Sequence, residues 1–184
     1  CAKLITPADR VAAGGKVFCR SCYAALRAEL ESAVGMMSSD IHYPNAALGA
    51  ILGGALGILA WWGFTVATRM SLGLIAIGIG FAVGWFTVKF SGGKRSGGLQ
   101  ALSVSVATLS YFVATYLVNM TFINRALAEH GEAFRVAFPP QNLDLMVKVV
   151  TEGFGVMDLV FLAIAVYEAW KIPRPISLPG APAA

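Results

Sequence analysis

Lys89-Phe90-Ser91-Gly92-Gly93-Lys94-Arg95-Ser96-Gly97-Gly98 is the stretch on which the fold turns. It is a short, basic, glycine-rich joint set between long apolar runs. Two runs precede it, Ala46 to Thr68 and Met70 to Phe90, and a third, Leu99 to Ile123, follows at once. About 20 apolar residues suffice to cross the hydrocarbon core of a bilayer. The first two runs have almost no connector, which predicts an antiparallel hairpin. A fourth run, Gly153 to Ile172, comes after a long connection over residues 124–152. The expected fold is an all-α polytopic membrane protein with four transmembrane helices, over about 46–68, 70–90, 99–123 and 153–172.

Composition points the same way. Of 184 residues, 57% are hydrophobic and 13% charged, against about 25% charged in a soluble domain. The mean hydropathy is +0.70. The net charge of +4 comes from residues near the expected membrane surface. No basic stripe is present, so nucleic acid is not an expected partner.

The flanks orient the helices. Trp61 and Trp62 lie toward the far end of the first run, and Tyr167-Glu168-Ala169-Trp170-Lys171 marks an interface of the last. Lys89, Lys94 and Arg95 share a side with Arg20, Arg27, Lys171 and Arg174, while the first joint offers only Arg69. The positive-inside rule then puts both termini and the glycine joint in the cytoplasm and the 124–152 loop outside. Lys94 and Arg95, beside glycine N–H groups, are candidates for holding a lipid-headgroup phosphate. The joint lacks the preceding strand that a nucleotide phosphate loop needs.

Inside the runs, Gly49, Gly53 and Gly57 repeat every fourth residue, as do Ala76, Gly80 and Gly84. Such faces let another backbone come close. Each packs against the other or against a partner. Ser103, Ser105, Thr108, Ser110, Thr115 and Asn119 form a mild polar row on the third run, in which hydroxyls bond their own helix carbonyls or line a path. Asn119 and Asp158 are the intramembrane polar candidates. An acid at that depth is a functional candidate by default, but Lys148, Arg135 or Asn119 would also satisfy it structurally. His130, between Glu129 and Glu132, fits a solvated face better than a metal site.

The N-terminal residues differ in character. Cys1, Cys19 and Cys22 are the cysteines, with seventeen residues between Cys1 and the CxxC Cys19-Arg20-Ser21-Cys22. Gly14-Gly15 predicts a hairpin turn before Lys16-Val17-Phe18-Cys19. This is the pattern C-x2-C-x17-C-x2-C without its first cysteine, and thiolates at that spacing suit structural Zn2+. A reducing cytoplasm favours thiolates on zinc over a disulfide. A redox CxxC, unrelated thiols and a lipoprotein cysteine at Cys1 remain alternatives. Residues 24–40 predict a helix from Leu26, Leu30, Val34 and Met37, and Asn45 is the expected cap of the first run.

Thr6-Pro7-Ala8-Asp9-Arg10-Val11 with Gly15 to Tyr23 resembles the first half of a LIM-type or related bacterial zinc ribbon. The resemblance implies short strands around one zinc, with Cys1, Cys19 and Cys22 among its ligands; the first ligand would lie three positions before Cys1, and without it the site is incomplete or His42 or another chain completes it. Gly78 to Tyr111 and the closing Tyr167 to Pro173 are similar to bacterial four-span membrane proteins with an N-terminal LIM or B-box-like zinc ribbon. That resemblance implies topology and the bacterial cytoplasmic membrane, and no activity. The expected domains are a zinc-ribbon-like module at 1–23, a connector at 24–45, the membrane domain at 46–172 and a Pro-rich tail at 173–184. The expected function is a non-catalytic accessory or scaffold subunit, whose partners are lipids and other membrane subunits or a second copy. The alternative is a small oligomeric transporter or channel using Asp158 and the third-run hydroxyls.

Overall fold

The computed structural model describes residues 9–13, 15–69, 74–151 and 154–176, most of them helical. The chain divides into two units, Cys1–Asp40 with Ile176–Ala184, and Ile41–Pro175. Cys1 and most of the expected tail lie outside the described residues.

In the first unit, β1 (Arg10–Ala13) and β2 (Lys16–Cys19) pair antiparallel, with Arg10 opposite Cys19 and Ala13 opposite Lys16. Gly15 takes φ +74° in the turn, a conformation glycine adopts without steric cost. The chain then passes directly from β2 into α1 (Arg20–Ser38). The helix begins four residues before the position expected from its apolar spacing. Cys19 is the reason: it stands at the N-cap in an extended conformation, and its Sγ accepts from the Cys22 N–H. A thiol is a weak acceptor and sits outside the usual capping residues, so the pattern alone does not place the cap there. No residue of α1 is buried.

The second unit holds α2 (Tyr43–Thr68), α3 (Leu74–Phe90), α4 (Gly97–Glu129), α5 (Leu143–Thr151) and α6 (Val156–Lys171). The helix α2 starts earlier than expected, with His42 rather than Asn45 preceding its first turn. Pro44 sits within that turn, where its missing N–H costs nothing. Arg69 ends the helix in the left-handed region at φ 55°, its N–H bonded to the Thr65 carbonyl. α2 packs on α3 and α4, α6 packs on the same two helices, and α5 packs on α4.

The core contains Trp61, Ile79, Val83 and Tyr111 among alanines that keep the helices close. The outer face of α2 leaves Leu48, Ile51, Leu52, Leu56 and Leu59 exposed. A run of large apolar side chains facing outward suits hydrocarbon as the surrounding medium. Helices α2 and α4 are long and apolar enough to cross a membrane, and α5 with α6 adds a third candidate as a pair bent by 103°. The helix α3 is apolar but shorter, 17 residues, or roughly 25 Å. Two or three helices of this chain could therefore span a membrane.

Candidate functional site

Cys19 and Cys22 are carried to the same end of α1, one at the cap and one in the first turn. Cys19 Sγ shares a hydrogen bond with Ser21 Oγ and accepts one from the Cys22 N–H, both 3.4 Å. The Ser21 contact first, and then Cys22, stabilise the thiolate and lower the Cys19 pKa to about 7. Hydrogen bonds to a charged form favour that form. Among the described residues no group of three or more His, Cys, Asp or Glu could hold a metal. His42 lies at the start of α2, in the other unit.

The glycine joint is built as a double turn. Gly92 and Gly93 adopt φ +75° and +79°, and the Gly93 N–H returns to the Val88 carbonyl at 2.9 Å. Ser91 Oγ donates to the Val88 and Lys94 carbonyls, and Ser96 caps α4 by accepting from the Leu99 N–H. Arg95 does something the sequence does not announce. Its Nη1 donates to the Ile172 carbonyl at the end of α6, 2.6 Å away and 77 residues on. One arm of the expected phosphate ligand is thus spent on an orphan helix carbonyl. Gln100 reinforces the tie by donating to the Trp170 carbonyl at 3.0 Å. Around this end, Lys89 stands 4.5 Å from the Trp85 ring and Arg174 5.2 Å from the Trp170 ring. Aromatic rings paired with cations are what a membrane–water boundary selects.

The two small-residue stripes face different partners. A Cβ on Gly49 would lie 2.5 Å from the Phe86 carbonyl oxygen, and one on Gly53 would lie 2.6 Å from that of Ala82. Gly57 faces Ile79. The α2 stripe therefore rests on α3, but on its Ile79–Ala82–Phe86 side. Gly80 faces the Ala165 backbone and Gly84 faces Ile172, so this part of the α3 stripe receives the α6 segment instead. Ala76 is fully buried in the core. The stripes do not meet each other, because on one helix they and the opposite face serve two neighbours.

Asp158 lies in the first turn of α6, and its Oδ2 accepts from the Gly155 N–H at 2.8 Å. The Asp158 backbone carbonyl accepts from the Tyr111 hydroxyl at 2.9 Å. Its carboxylate thus meets a local backbone donor, where Lys148, Arg135 or Asn119 was expected. Asn119 Nδ2 donates to the Val149 carbonyl at 2.8 Å, tying α5 to α4. Thr108 and Thr115 bond the Val104 and Tyr111 carbonyls of their own helix. Ser103 Oγ is buried without a hydrogen-bond partner.

Two residues that pattern reading passes over complete a clamp. Tyr116 donates to the Ala137 carbonyl at 2.6 Å, and Asn124 both donates to and accepts from the Val136 backbone, each at 2.8 Å. Tyr116, Val136 and Val149 form a small core of their own with Leu117, Met120 and Leu145. The only hint in the sequence is spacing: Tyr116, Asn119 or Met120, and Ile123 or Asn124 share one helical face.

No protein-family model matches the chain, and neither a curated protein nor a solved structure matches it.

Proposed function

We propose that this chain is a non-catalytic accessory or scaffold subunit of a larger membrane complex. In this reading α2, α3, α4 and α6 are four spans in a bacterial cytoplasmic membrane, with both termini in the cytoplasm. The basic residues at the joint end, Lys89, Lys94, Arg95, Lys171 and Arg174, support that orientation.

The observation that carries the reading is α1. It is a 19-residue helix in which no residue is buried, and Leu26, Leu30, Met36 and Met37 are all exposed. A helix of this length draws most of its stability from covering an apolar face. The small-residue faces of α2 and α3, expected as docking surfaces, are filled from within the chain. That leaves the N-terminal unit, together with the polar part of residues 124–152, to receive other subunits.

Structural Zn2+ belongs to the same proposal. Cys19 and Cys22 would supply two soft donors at the hairpin–helix junction and Cys1 a third, and bound zinc would fix the hairpin to the helix. Replacing Cys19 or Cys22 with serine is then expected to make the N-terminal unit protease-sensitive. Normal accumulation with loss of a thiol-dependent activity would point to redox chemistry instead.

The deciding experiment is purification from native membranes in a mild detergent with mass spectrometry of whatever accompanies the chain. Stoichiometric companions support a subunit. A chain that runs alone sinks the reading.

A further inference from the structure

The residues 131–151 end of the second unit carries four large apolar side chains that keep half or more of their surface exposed, Phe138 with its ring 6.1 Å from that of Tyr116. Phe134 is 57% exposed, Phe138 55%, Leu143 70% and Val147 50%. Loop residues of this kind are costly in water. Their height along the bundle says what surrounds them.

The helix α4 serves as the ruler. Its N-terminus follows the joint at the cation–aromatic end, and the helix rises ~1.5 Å per residue. Tyr111 lies ~21 Å along α4 from Gly97. Its hydroxyl meets the Asp158 carbonyl, and Asp158 lies ~21 Å along α6 from Ile172, whose carbonyl takes Arg95 of the joint. Two independent helices thus give the same height.

On this scale Tyr116 stands at ~28 Å, Asn119 at ~33 Å and Asn124 at ~40 Å, against ~30 Å for the hydrocarbon core of a bilayer. These three side chains hold Ala137, Val149 and Val136. With Gly97 at the joint-side boundary of the proposed spans, Ala137 and Val149 are pinned near the opposite hydrocarbon boundary and Val136 stands beyond it. The angle of α5 agrees: it is turned 103° from α6, so it lies nearly flat when α6 runs along the bundle. One side of α5 packs Val149 and Leu145 against α4, while Leu143 and Val147 face outward. Flat, amphipathic and at boundary height is the geometry of an interfacial helix.

We propose that Phe138, Leu143 and Val147 form a lipid-binding foot, seated among phospholipid acyl chains just below the glycerol level of that leaflet. Arg135 and Lys148 are exposed in the same stretch, as are Glu132 and Asp144, so the charges balance and apolar contact carries the seating. The foot fixes how deep the bundle sits and keeps α4 from sliding through the bilayer. It rests on the four-span reading proposed above and not on the subunit role, since a chain that purifies alone still needs its depth set.

The test places the photocrosslinker p-benzoylphenylalanine in place of Phe138 or, separately, Leu143, in the full chain in native membranes. The same group in place of the outward-facing Leu52 on α2 is the lipid control. Mass spectrometry after irradiation is expected to show phospholipid adducts at both sites, at a yield within about threefold of the control. A protein adduct at either site, from another subunit or a second copy, overturns the proposal. So does a lower lipid yield than that while Leu52 labels normally.

Discussion

Gly80 on α3 lies so near Ala165 on α6 that a single methyl would overlap the α6 backbone, whereas Leu30 on α1 keeps 45% of its surface exposed. The first contact belongs to a bundle that finishes its packing within the chain. The second belongs to a unit whose helix has an apolar stripe and no buried residue. Close backbone approach is set by what a position lacks, and an uncovered stripe is set by what it carries. The two respond to mutation in opposite ways.

The largest effect is expected at the backbone contacts. Gly80→Ala drives a Cβ into the Ala165 main chain, which cannot swing aside as a flexible side chain would. Overpacking of this kind costs about 3 kcal/mol or more, enough to deplete folded protein. Gly78 has no atom within 4 Å of its would-be Cβ, so Gly78→Ala is expected to hold or gain up to about 1 kcal/mol from helix propensity. Thermal unfolding of both variants in the same detergent decides it. Equal tolerance at the two glycines would break the comparison on the bundle side.

A smaller effect is expected where polar side chains hold the connection. Asn124→Ala removes both bonds to the Val136 backbone and leaves a donor and an acceptor to find other partners. The expected cost is about 2 kcal/mol. Hydrogen exchange at Val136 and its neighbours should quicken while α2 and α3 keep their protection. Unchanged exchange there would mean that apolar packing around Tyr116 alone holds the segment.

These two cases also mark what the sequence could and could not tell. The apolar runs, the Gly14–Gly15 turn, the glycine joint and the CxxC were legible because each is written in neighbouring residues. Spacing of Gly49, Gly53 and Gly57 announced a close approach, but a glycine stripe carries no address, and only the folded bundle assigns α3 to one stripe and α6 to Gly80 and Gly84 of the other. Arg95 to Ile172 and Asn124 to Val136 were invisible for the same reason: both join positions that no local period relates. The start of α1 was misplaced because a thiol cap is chemically weak. The four-helix count rests on run length, and at α6 the helix, Val156–Lys171, is shorter than the run that suggested it.

Asp158 tests whether the bundle hides a polar path. Its carboxylate accepts from the Gly155 N–H, a role that an amide oxygen also fills. Asp158→Asn is therefore expected to cost no more than about 0.5 kcal/mol, and Asp158→Ala about 1 kcal/mol, as for other helix-start acceptors. Flux through reconstituted protein that disappears in Asp158→Asn, with folding intact, would instead favour a transport role.

The smallest effect on the isolated chain, and the most informative, is expected in α1. Leu26→Ser with Leu30→Ser changes two residues that are 39% and 45% exposed. Surface substitutions of that kind shift stability by about 0.5 kcal/mol or less, so unfolding of the purified chain should barely move. The same double change should lower recovery of companion subunits from native membranes by an order of magnitude or more, because burying the exposed parts of two leucines against a partner is worth about 1.4 kcal/mol or more. A large loss of stability in the purified chain would show that the chain itself covers the stripe, and α1 would then belong to the self-contained class that Gly80 represents. Unchanged stability with unchanged recovery would leave the stripe without a binding role, and the subunit reading would lose the observation that carries it.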